Sequence, residues 1–254
     1  MALLVDGSWC EPDELQAYDG SATNVAAEEG IDLSAKMALS EAWITDKVDD
    51  FLRWESNYGP GGCAQCGLSV KNAVVDDRLK RWHLTNTLAL LYRDASFSQV
   101  NDRFQKKCSA YETDAARFKD AYFNSGVPYA SNPVRRPAAP TVTVTAGHLA
   151  AAAYFVATSQ VDVCGNESAL SDITSTQASD GNVITVVTNG VAAGSRWNVY
   201  AADNNGVMRR QNDVPMEIGV AWTIPDTGLI DGVVAANGQV ATGRVRPRRL
   251  MPRG

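Results

Sequence analysis

The feature that most constrains the fold is a regular spacing of apolar residues between positions 104 and 122. Apolar side chains recur there at intervals of four, three, four, three and four positions, which places them on one side of an α-helix. They are Phe104, Cys108, Tyr111, Ala115, Phe118 and Tyr122. Most of the positions between them are charged or polar. The sequence therefore predicts an amphipathic helix with one buried face.

A second helix is predicted immediately before this one. Its apolar residues lie on more than one side, as expected of a helix with neighbours on two faces. They are Val75, Leu79, Trp82, Leu84, Leu88 and Leu91. Only residues 96–101 separate the two helices, so we predict a helical hairpin between about residues 70 and 123. Ser98 or Asn101 is expected to cap its second helix.

Two further helices are predicted before residue 58. Pro12, among the acidic residues Glu11, Asp13 and Glu14, is typical of a helix start. A longer helix follows with Asp32 or Ser34 as its cap, and its apolar residues again form one stripe. They are Leu33, Met37, Ile44, Val48 and Phe51. Trp43 and Trp54 flank this stripe, and we interpret them as core or interface residues.

Residues 59–68, with the sequence GPGGCAQCGL, are predicted to form a loop that holds Cys63 and Cys66. This spacing could be half of a zinc knuckle, a redox pair or simply two thiols. The chain has no second C-x-x-C motif, and His83 and His148 are isolated. We therefore favour a loop with two thiols, which could form a disulfide on exposure to air. No metal or cofactor is expected.

The composition changes near Pro137, from charged helical sequence to segments rich in Thr, Val, Ala, Gly and Asn. Six or seven short alternating runs follow, with turn signals between them, which is typical of an antiparallel β-sandwich. Parts of it resemble the middle strands of fibronectin type III or related Ig-like domains. We therefore predict a two-domain α+β chain with a helical domain at 1–137, a β-sandwich at 138–243 and an extended basic arm at 244–254.

The predicted arm is basic, although the whole chain has a formal net charge of −6. It contains five arginines and no acidic residue: Arg244, Arg246, Arg248, Arg249 and Arg253. Two prolines in it prevent a helix. The arm could be a solubilising tail, or it could dock to an acidic protein surface or to DNA phosphates.

Common catalytic motifs are absent from the sequence. It has no G-x-S-x-G, P-loop, G-x-G-x-x-G or H-E-x-x-H motif, and its two histidines offer little general-base chemistry. It also has no apolar run long enough to span a membrane and no pattern of a secretory signal. We therefore expect a protein that works by binding rather than by catalysis.

Over about residues 12–137, the chain resembles the helical head–tail connector (adaptor, or neck) proteins of tailed bacteriophages. The resemblance is carried by VAAEEGIDLSAKMALSEAWITDKVDDFL, LKRWHLTNTLALLYRDA and VNDRFQKKCSAYETDAARFKDAYFNSGVP. It implies a homo-oligomeric ring, commonly of twelve copies, that lies below the portal in the virion and is assembled in the host cytoplasm. The ring would extend the DNA channel and contact the portal protein and the tail or a second neck protein. It would not contact a membrane.

The resemblance also suggests roles for particular residues. Neighbouring copies would pack through the second apolar face of the first hairpin helix, at Trp82, Leu84, Leu88 and Tyr92. The five arginines of the arm would bind a partner, with docking into the portal favoured over contact with DNA. The β-sandwich departs from the simple family plan and puts in doubt whether the arm can return to the portal.

Two other functions remain open from the sequence. An accessory protein that binds carbohydrate or a host surface could use aromatic residues of the β-sandwich as a stacking platform. The candidates are Tyr154, Trp197, Tyr200 and Trp222. An enzyme would need Cys63 and Cys66 to carry out its chemistry.

Overall fold

The computed structural model describes residues 2–7, 9–57, 67–98, 103–204, 206–235 and 238–247. This part of the chain is α+β, with five α-helices and antiparallel sheets, which confirms the predicted class at that level. The chain divides into two compact units. The helical unit draws on Gly7–Ser131 and Ala241–Gly254, and the β unit on Met1–Asp6 and Asn132–Val240. These units differ from the predicted ranges at both ends of the chain, because Met1–Asp6 group with the β unit and the C-terminal residues group with the helices.

The helical unit begins with two short helices and continues with three long ones. They are α1 (Pro12–Tyr18), α2 (Ala22–Glu28), α3 (Leu33–Asn57), α4 (Asp77–Ser98) and α5 (Gln105–Ser125). Glu11 and Glu14 form a capping box at the start of α1, where Pro12 occupies the first turn. Asp32 caps α3 by accepting a hydrogen bond of 3.0 Å from the backbone N–H of Ala35. Both helix starts agree with the sequence.

The predicted hairpin is formed by α4 and α5. Of the six predicted apolar positions, which are Phe104 and five residues of α5, four are buried and two are half-buried. The buried residues of α4 lie on several of its sides, because α1, α2, α3 and α5 of the same chain all pack against it. The proposed cap residue Asn101 and the side chain of Ser98 lie outside the described residues, and α5 starts after Phe104 without a side-chain cap.

A short antiparallel pair of strands completes the helical unit. Strand β1 (Val127–Tyr129) follows α5 directly and pairs with β10 (Gly243–Val245) near the end of the chain. Asp76 caps α4 through its Oδ1, which accepts a 3.0 Å hydrogen bond from Leu79 N–H. The other carboxylate oxygen of Asp76 binds Arg244 of β10. The C-terminal strand is therefore tied to both β1 and α4.

The β unit has two antiparallel sheets. Its strands are β2 (Ala138–Leu149), β3 (Ala152–Val161), β4 (Thr174–Ala178), β5 (Asn182–Asn189), β6 (Arg196–Asp203), β7 (Arg209–Arg210), β8 (Met216–Glu217) and β9 (Trp222–Thr223). One sheet has the order β2-β5-β9, and the other has the order β4-β3-β6-β7, with β8 also paired to β6. The predicted alternating runs all fall on these strands.

The two sheets share one hydrophobic core. Val156, Trp197 and Val199 reach it from the larger sheet, and Ile184 and Val186 reach it from the smaller one. Along β5, buried side chains alternate with more accessible ones over residues 183–187, as the two-residue period of a strand predicts. The indole N–H of Trp197 donates a 3.1 Å hydrogen bond to the carbonyl of Glu217, so its one polar group is satisfied.

Candidate interaction surfaces

The residues predicted to contact a second copy are buried inside a single chain. Trp82, Leu88 and Tyr92 are 0% exposed, and Leu84 is 8% exposed. Their apolar faces are covered by neighbouring helices of the same unit, so they offer no surface to another copy. The sequence correctly indicated that α4 has more than one apolar side, but the second side packs within the chain. The prediction of an interface at these four residues is corrected accordingly.

Three exposed large apolar side chains of the helical unit are grouped on α3. Met37, Ile44 and Val48 of this helix are buried, whereas Trp43 is 42% and Trp54 is 63% exposed. These indoles lie on a stripe of exposed residues spaced four, four, three and four positions apart. We call it the α3 outer stripe: Leu39, Trp43, Lys47, Asp50 and Trp54. Large exposed aromatic side chains grouped on one face are typical of a protein–protein contact surface.

A cavity of about 150 Å³ opens beside Trp43. Its lining is partly aromatic and partly small: Trp43, Trp82, Asn86, Ala89, Glu112, Ala115, Ala116 and Lys119. Trp43 and Trp82 meet edge to face, with their ring centroids 6.0 Å apart. The α3 outer stripe therefore adjoins a recess that could receive an apolar side chain.

The first arginine of the predicted arm has a structural role. Arg244 Nη2 donates a 2.9 Å hydrogen bond to Asp76 Oδ2, and its Nη1 donates one of 3.0 Å to the carbonyl of Gly126. Because the Asp76 side chain is only 8% exposed, this ion pair is partly buried. Arg244 is thus engaged within its own chain, although its side chain remains 36% exposed, and its role in binding a partner stays a prediction. Arg246 follows β10 and is exposed, and Arg248, Arg249 and Arg253 lie outside the described residues.

A cluster of polar side chains gathers around the carboxylate of Asp19. Tyr92 O–H donates to it at 2.6 Å, Tyr111 O–H at 2.9 Å and Lys107 Nζ at 3.0 Å. The hydroxyl of Ser21 donates to its other oxygen at 2.7 Å. Burial raises the pKa of Asp19, but the hydrogen bonds outweigh this effect and hold the pKa well below its usual range. The cluster ties the α1–α2 connection to α4 and α5, and no pattern in the sequence indicated it.

His83 is buried in the helical unit without full hydrogen bonding. Its Nδ1 lies 3.0 Å from Ser40 Oγ, and its Nε2 has no hydrogen-bond partner within the described part of the chain. Burial disfavours the charged imidazolium and lowers the pKa of His83 to about 4. The folded unit therefore holds this side chain neutral at pH 7.

The low pKa of His83 predicts a loss of stability in mild acid. The unfolded chain takes up a proton near pH 6.5, whereas the folded chain does so only near pH 4, so the free energy of unfolding falls between these values. The total loss should be up to about 3 kcal/mol. Urea unfolding at several pH values, followed by the far-ultraviolet circular dichroism of the helices, would measure the free energy of unfolding. It should fall with decreasing pH in wild type and much less in His83→Gln. His148→Gln, in the β unit, is the control, and an equal slope in His83→Gln would contradict the assignment.

The four aromatic residues proposed as a carbohydrate platform are buried. Trp197 and Tyr200 are 0% and 3% exposed, and Tyr154 and Trp222 are also buried. Tyr200 O–H donates a 2.7 Å hydrogen bond to Glu167 Oε1, so its hydroxyl is also occupied. These side chains stabilise the β unit and cannot stack on a sugar. The prediction of a stacking platform at these four residues is therefore wrong, because they are buried structural residues.

The three cysteines within the described residues are free thiols. Cys63 and Cys66 lie outside the described residues, so their alternatives stay open. Cys10 and Cys108 are buried thiols and Cys164 is an exposed one, and burial raises the pKa of Cys10 to about 12. Within the described ranges, no three His, Cys, Asp or Glu side chains are grouped to hold a metal ion.

Two candidate contact regions thus remain on the helical unit, the α3 outer stripe and the arginine-rich residues that follow β10. No helix in the part of the chain that the structure describes is long and apolar enough to cross a membrane. No protein-family model, no curated protein and no solved structure matches this chain.

Proposed function

We propose that this chain is a head–tail connector protein of a tailed bacteriophage. It would form a homo-oligomeric ring between the portal and the tail, in the neck of the virion, and extend the DNA channel. The observation that carries the proposal is the return of β10 to the helical unit. Because of this return, the arginine-rich C-terminal residues start from the helices, as the connector plan requires, and not from the β unit.

The start of the arm is held firmly. Strands β1 and β10 pair over three positions, Val127 with Val245, Pro128 with Arg244 and Tyr129 with Gly243. The partly buried ion pair of Arg244 and Asp76 adds a side-chain link to α4. A charged hydrogen bond of this kind is stronger than a neutral one and fixes direction as well as distance. The arginines beyond β10 therefore start from a defined place on the helical unit.

Most of the β unit, residues 132–240, is inserted in the sequence between β1 and β10 of the helical unit. Just before it, Tyr129 accepts a 2.8 Å hydrogen bond from the N–H of Thr242, which lies just after it. The N–H of Ser131 donates to the hydroxyl of Thr242 at 3.2 Å. Two antiparallel sheets around one core support an Ig-like sandwich for this insertion. Such a module would decorate the connector without interrupting its helices.

The arm would act by charge. Ring symmetry multiplies the positive charge of each arm, so that a band of arginines would face an acidic surface on the portal. Arginine forms paired hydrogen bonds with carboxylates, which favours directional docking. Docking to protein is favoured over contact with DNA, because a channel that must let DNA pass should not hold its phosphates tightly.

Replacing Arg246, Arg248 and Arg249 together by Ala should weaken binding to portal rings of the same phage by roughly tenfold or more, because the variant loses three cationic contacts. Co-sedimentation of the purified chain with portal rings would measure this. Arg78, Arg117 and Arg196 are exposed arginines outside the arm. Their combined change to Ala is the control with equal charge and should bind as wild type does. Equal binding by the arm variant would contradict the role of the arm.

The assembly itself is tested separately by the mass of the protein in solution and by electron microscopy of the largest species, with and without portal rings. Closed rings with a central opening wide enough for a DNA duplex would support the connector. A chain that forms no ring under either condition and does not bind the portal would overturn the proposed function.

A further inference from the structure

The α3 outer stripe has a symmetric pattern of side chains. Trp43, Lys47, Asp50 and Trp54 are spaced four, three and four positions apart, so the spacing is the same in both directions along the helix. At 3.6 residues per turn, the four positions fall within an arc of about 60°. All four side chains are exposed. The order along the helix is thus aromatic, positive, negative, aromatic on one continuous face.

This order is complementary to itself when a second identical helix lies antiparallel to the first. A two-fold axis between residues 48 and 49 places Trp43 opposite the Trp54 of the second copy and Lys47 opposite its Asp50. Each of these contacts occurs twice, because a two-fold contact uses the same patch on both copies. Both indoles then lose exposure to water, and both charges gain a partner of opposite sign.

The two charges are available for such a contact. Elsewhere on α3, Lys36 is paired with Asp94 and Arg53 with Asp49. Within the described part of the chain, no ion pair involves Lys47 or Asp50, although Lys47 Nζ lies 5.9 Å from the ring centroid of Trp43. A partner on a second copy would therefore not have to displace an existing ion pair.

The cavity beside Trp43 adds a second argument for this arrangement. Trp43, which would face the Trp54 of the second copy, is part of its lining, and Ala89, Ala115 and Ala116 leave room of about 150 Å³ for part of an indole ring. Aromatic side chains that enter a small recess commonly provide much of the binding energy of an interface.

We propose that α3 forms a two-fold contact between two copies of this chain, with Trp43 and Lys47 of one copy against Trp54 and Asp50 of the other. This goes beyond the proposed function. A two-fold contact closes on two copies, whereas the neighbour contacts of a ring join two different surfaces. The pair is therefore a separate association of the chain, and it stands or fails independently of the ring and the arm.

Charge reversal tests the pairing directly. In Lys47→Glu, two acidic side chains meet twice in each pair, and in Asp50→Lys two basic side chains do so. Each variant alone should associate roughly tenfold or more weakly than wild type. An equal mixture of the two should recover wild-type association, because opposite charges then meet at both positions of the mixed pair. Sedimentation velocity at several concentrations and low ionic strength, where repulsion is least screened, would measure this.

Lys106→Glu and Asp120→Lys supply the matched control, since they make the same charge changes on the exposed side of α5. Each should associate as wild type does, alone and in mixture. A wild-type chain that stays monomeric, a single α3 variant that associates normally, or a mixture that does not recover would each overturn the two-fold contact. Rings that persist in both α3 variants would support the proposed function. The result with the mixture would then test the two-fold contact separately.

Discussion

Asp19→Asn should lower the free energy of unfolding of the helical unit by about 2–4 kcal/mol. The carboxylate of Asp19 is 8% exposed and accepts hydrogen bonds from Tyr92, Tyr111 and Lys107. An amide keeps the shape but replaces one acceptor oxygen by a donor, so at least one of these donors loses its partner. Urea unfolding followed by the far-ultraviolet circular dichroism of the helices would measure the loss. This loss is smaller than the full cost of a broken buried ion pair, because Lys107 is 46% exposed and water screens its charge.

Asp13→Asn is the matched control, because Asp13 is an exposed carboxylate on α1. It should change the free energy of unfolding by no more than about 0.5 kcal/mol. A loss in Asp19→Asn no larger than in this control would show that the Asp19 cluster does not stabilise the helical unit.

The dependence on pH separates the charge of Asp19 from its shape. Because the pKa of Asp19 is held below its usual value, its charge stabilises the folded unit above about pH 3.9, and this contribution is lost as the pH falls further. In wild type, this acid loss adds to the one caused by His83 at higher pH. In Asp19→Asn, the free energy of unfolding should still fall in the pH range where His83 acts. Its further fall at lower pH should be smaller than in wild type.

The amino-acid sequence predicted the helices well and the polar cluster not at all. Burial of one face of a helix repeats every three or four residues, so it shows in the spacing of Cys108, Ala115 and Tyr122. Asp19 directly follows the short helix α1, and its local sequence has no feature that predicts such a cluster. Its partners Tyr92 and Tyr111 lie 73 and 92 positions further along the chain. No local pattern marks a contact over such a distance.

The contrast between local periodicity and distant packing also explains why exposure on α3 follows from the sequence but the partner of α4 does not. Trp43 lies next to the buried Ile44, and neighbouring positions on a helix point about 100° apart, so its exposure follows from the periodicity. The second apolar side of α4 was correctly predicted, but its partner could be a helix of the same chain or of another copy. Only the packing of the helical unit decides this, and it buries Trp82 and Leu88 completely.

The C-terminal strand was also beyond the reach of sequence patterns. Residues 243–245 are short, basic at Arg244 and close to prolines, which is typical of an extended arm. They pair with β1, more than a hundred positions earlier, through three residues on each side. A strand this short has no detectable alternation. The hydrogen bonds of Arg244 to Asp76 and Gly126 likewise depend on the fold alone.

Gly126→Ala should release this strand, at a cost to the free energy of unfolding of about 2–4 kcal/mol. Gly126 ends α5 with φ of 89° and ψ of 144°, a conformation that only glycine adopts readily. A Cβ there would lie 2.8 Å from both Arg246 Cγ and the carbonyl oxygen of Val245. The new methyl group would therefore have two effects. It would strain the backbone at residue 126, and it would push β10 away from β1.

Hydrogen exchange of the β1 and β10 amides would measure the release, and trypsin should cleave Gly126→Ala faster after Arg244. Gly20→Ala is the matched control, because its added Cβ would meet no atom within 4 Å. If β10 guides the arm, Gly126→Ala should also weaken portal binding although all the arginines remain. Full portal binding with a released β10 would show that the charge of the arm is sufficient without its anchor. Unchanged protection of the β10 amides would instead contradict the steric role of Gly126. It would not argue against the role of the β1–β10 pair as the anchor of the arm.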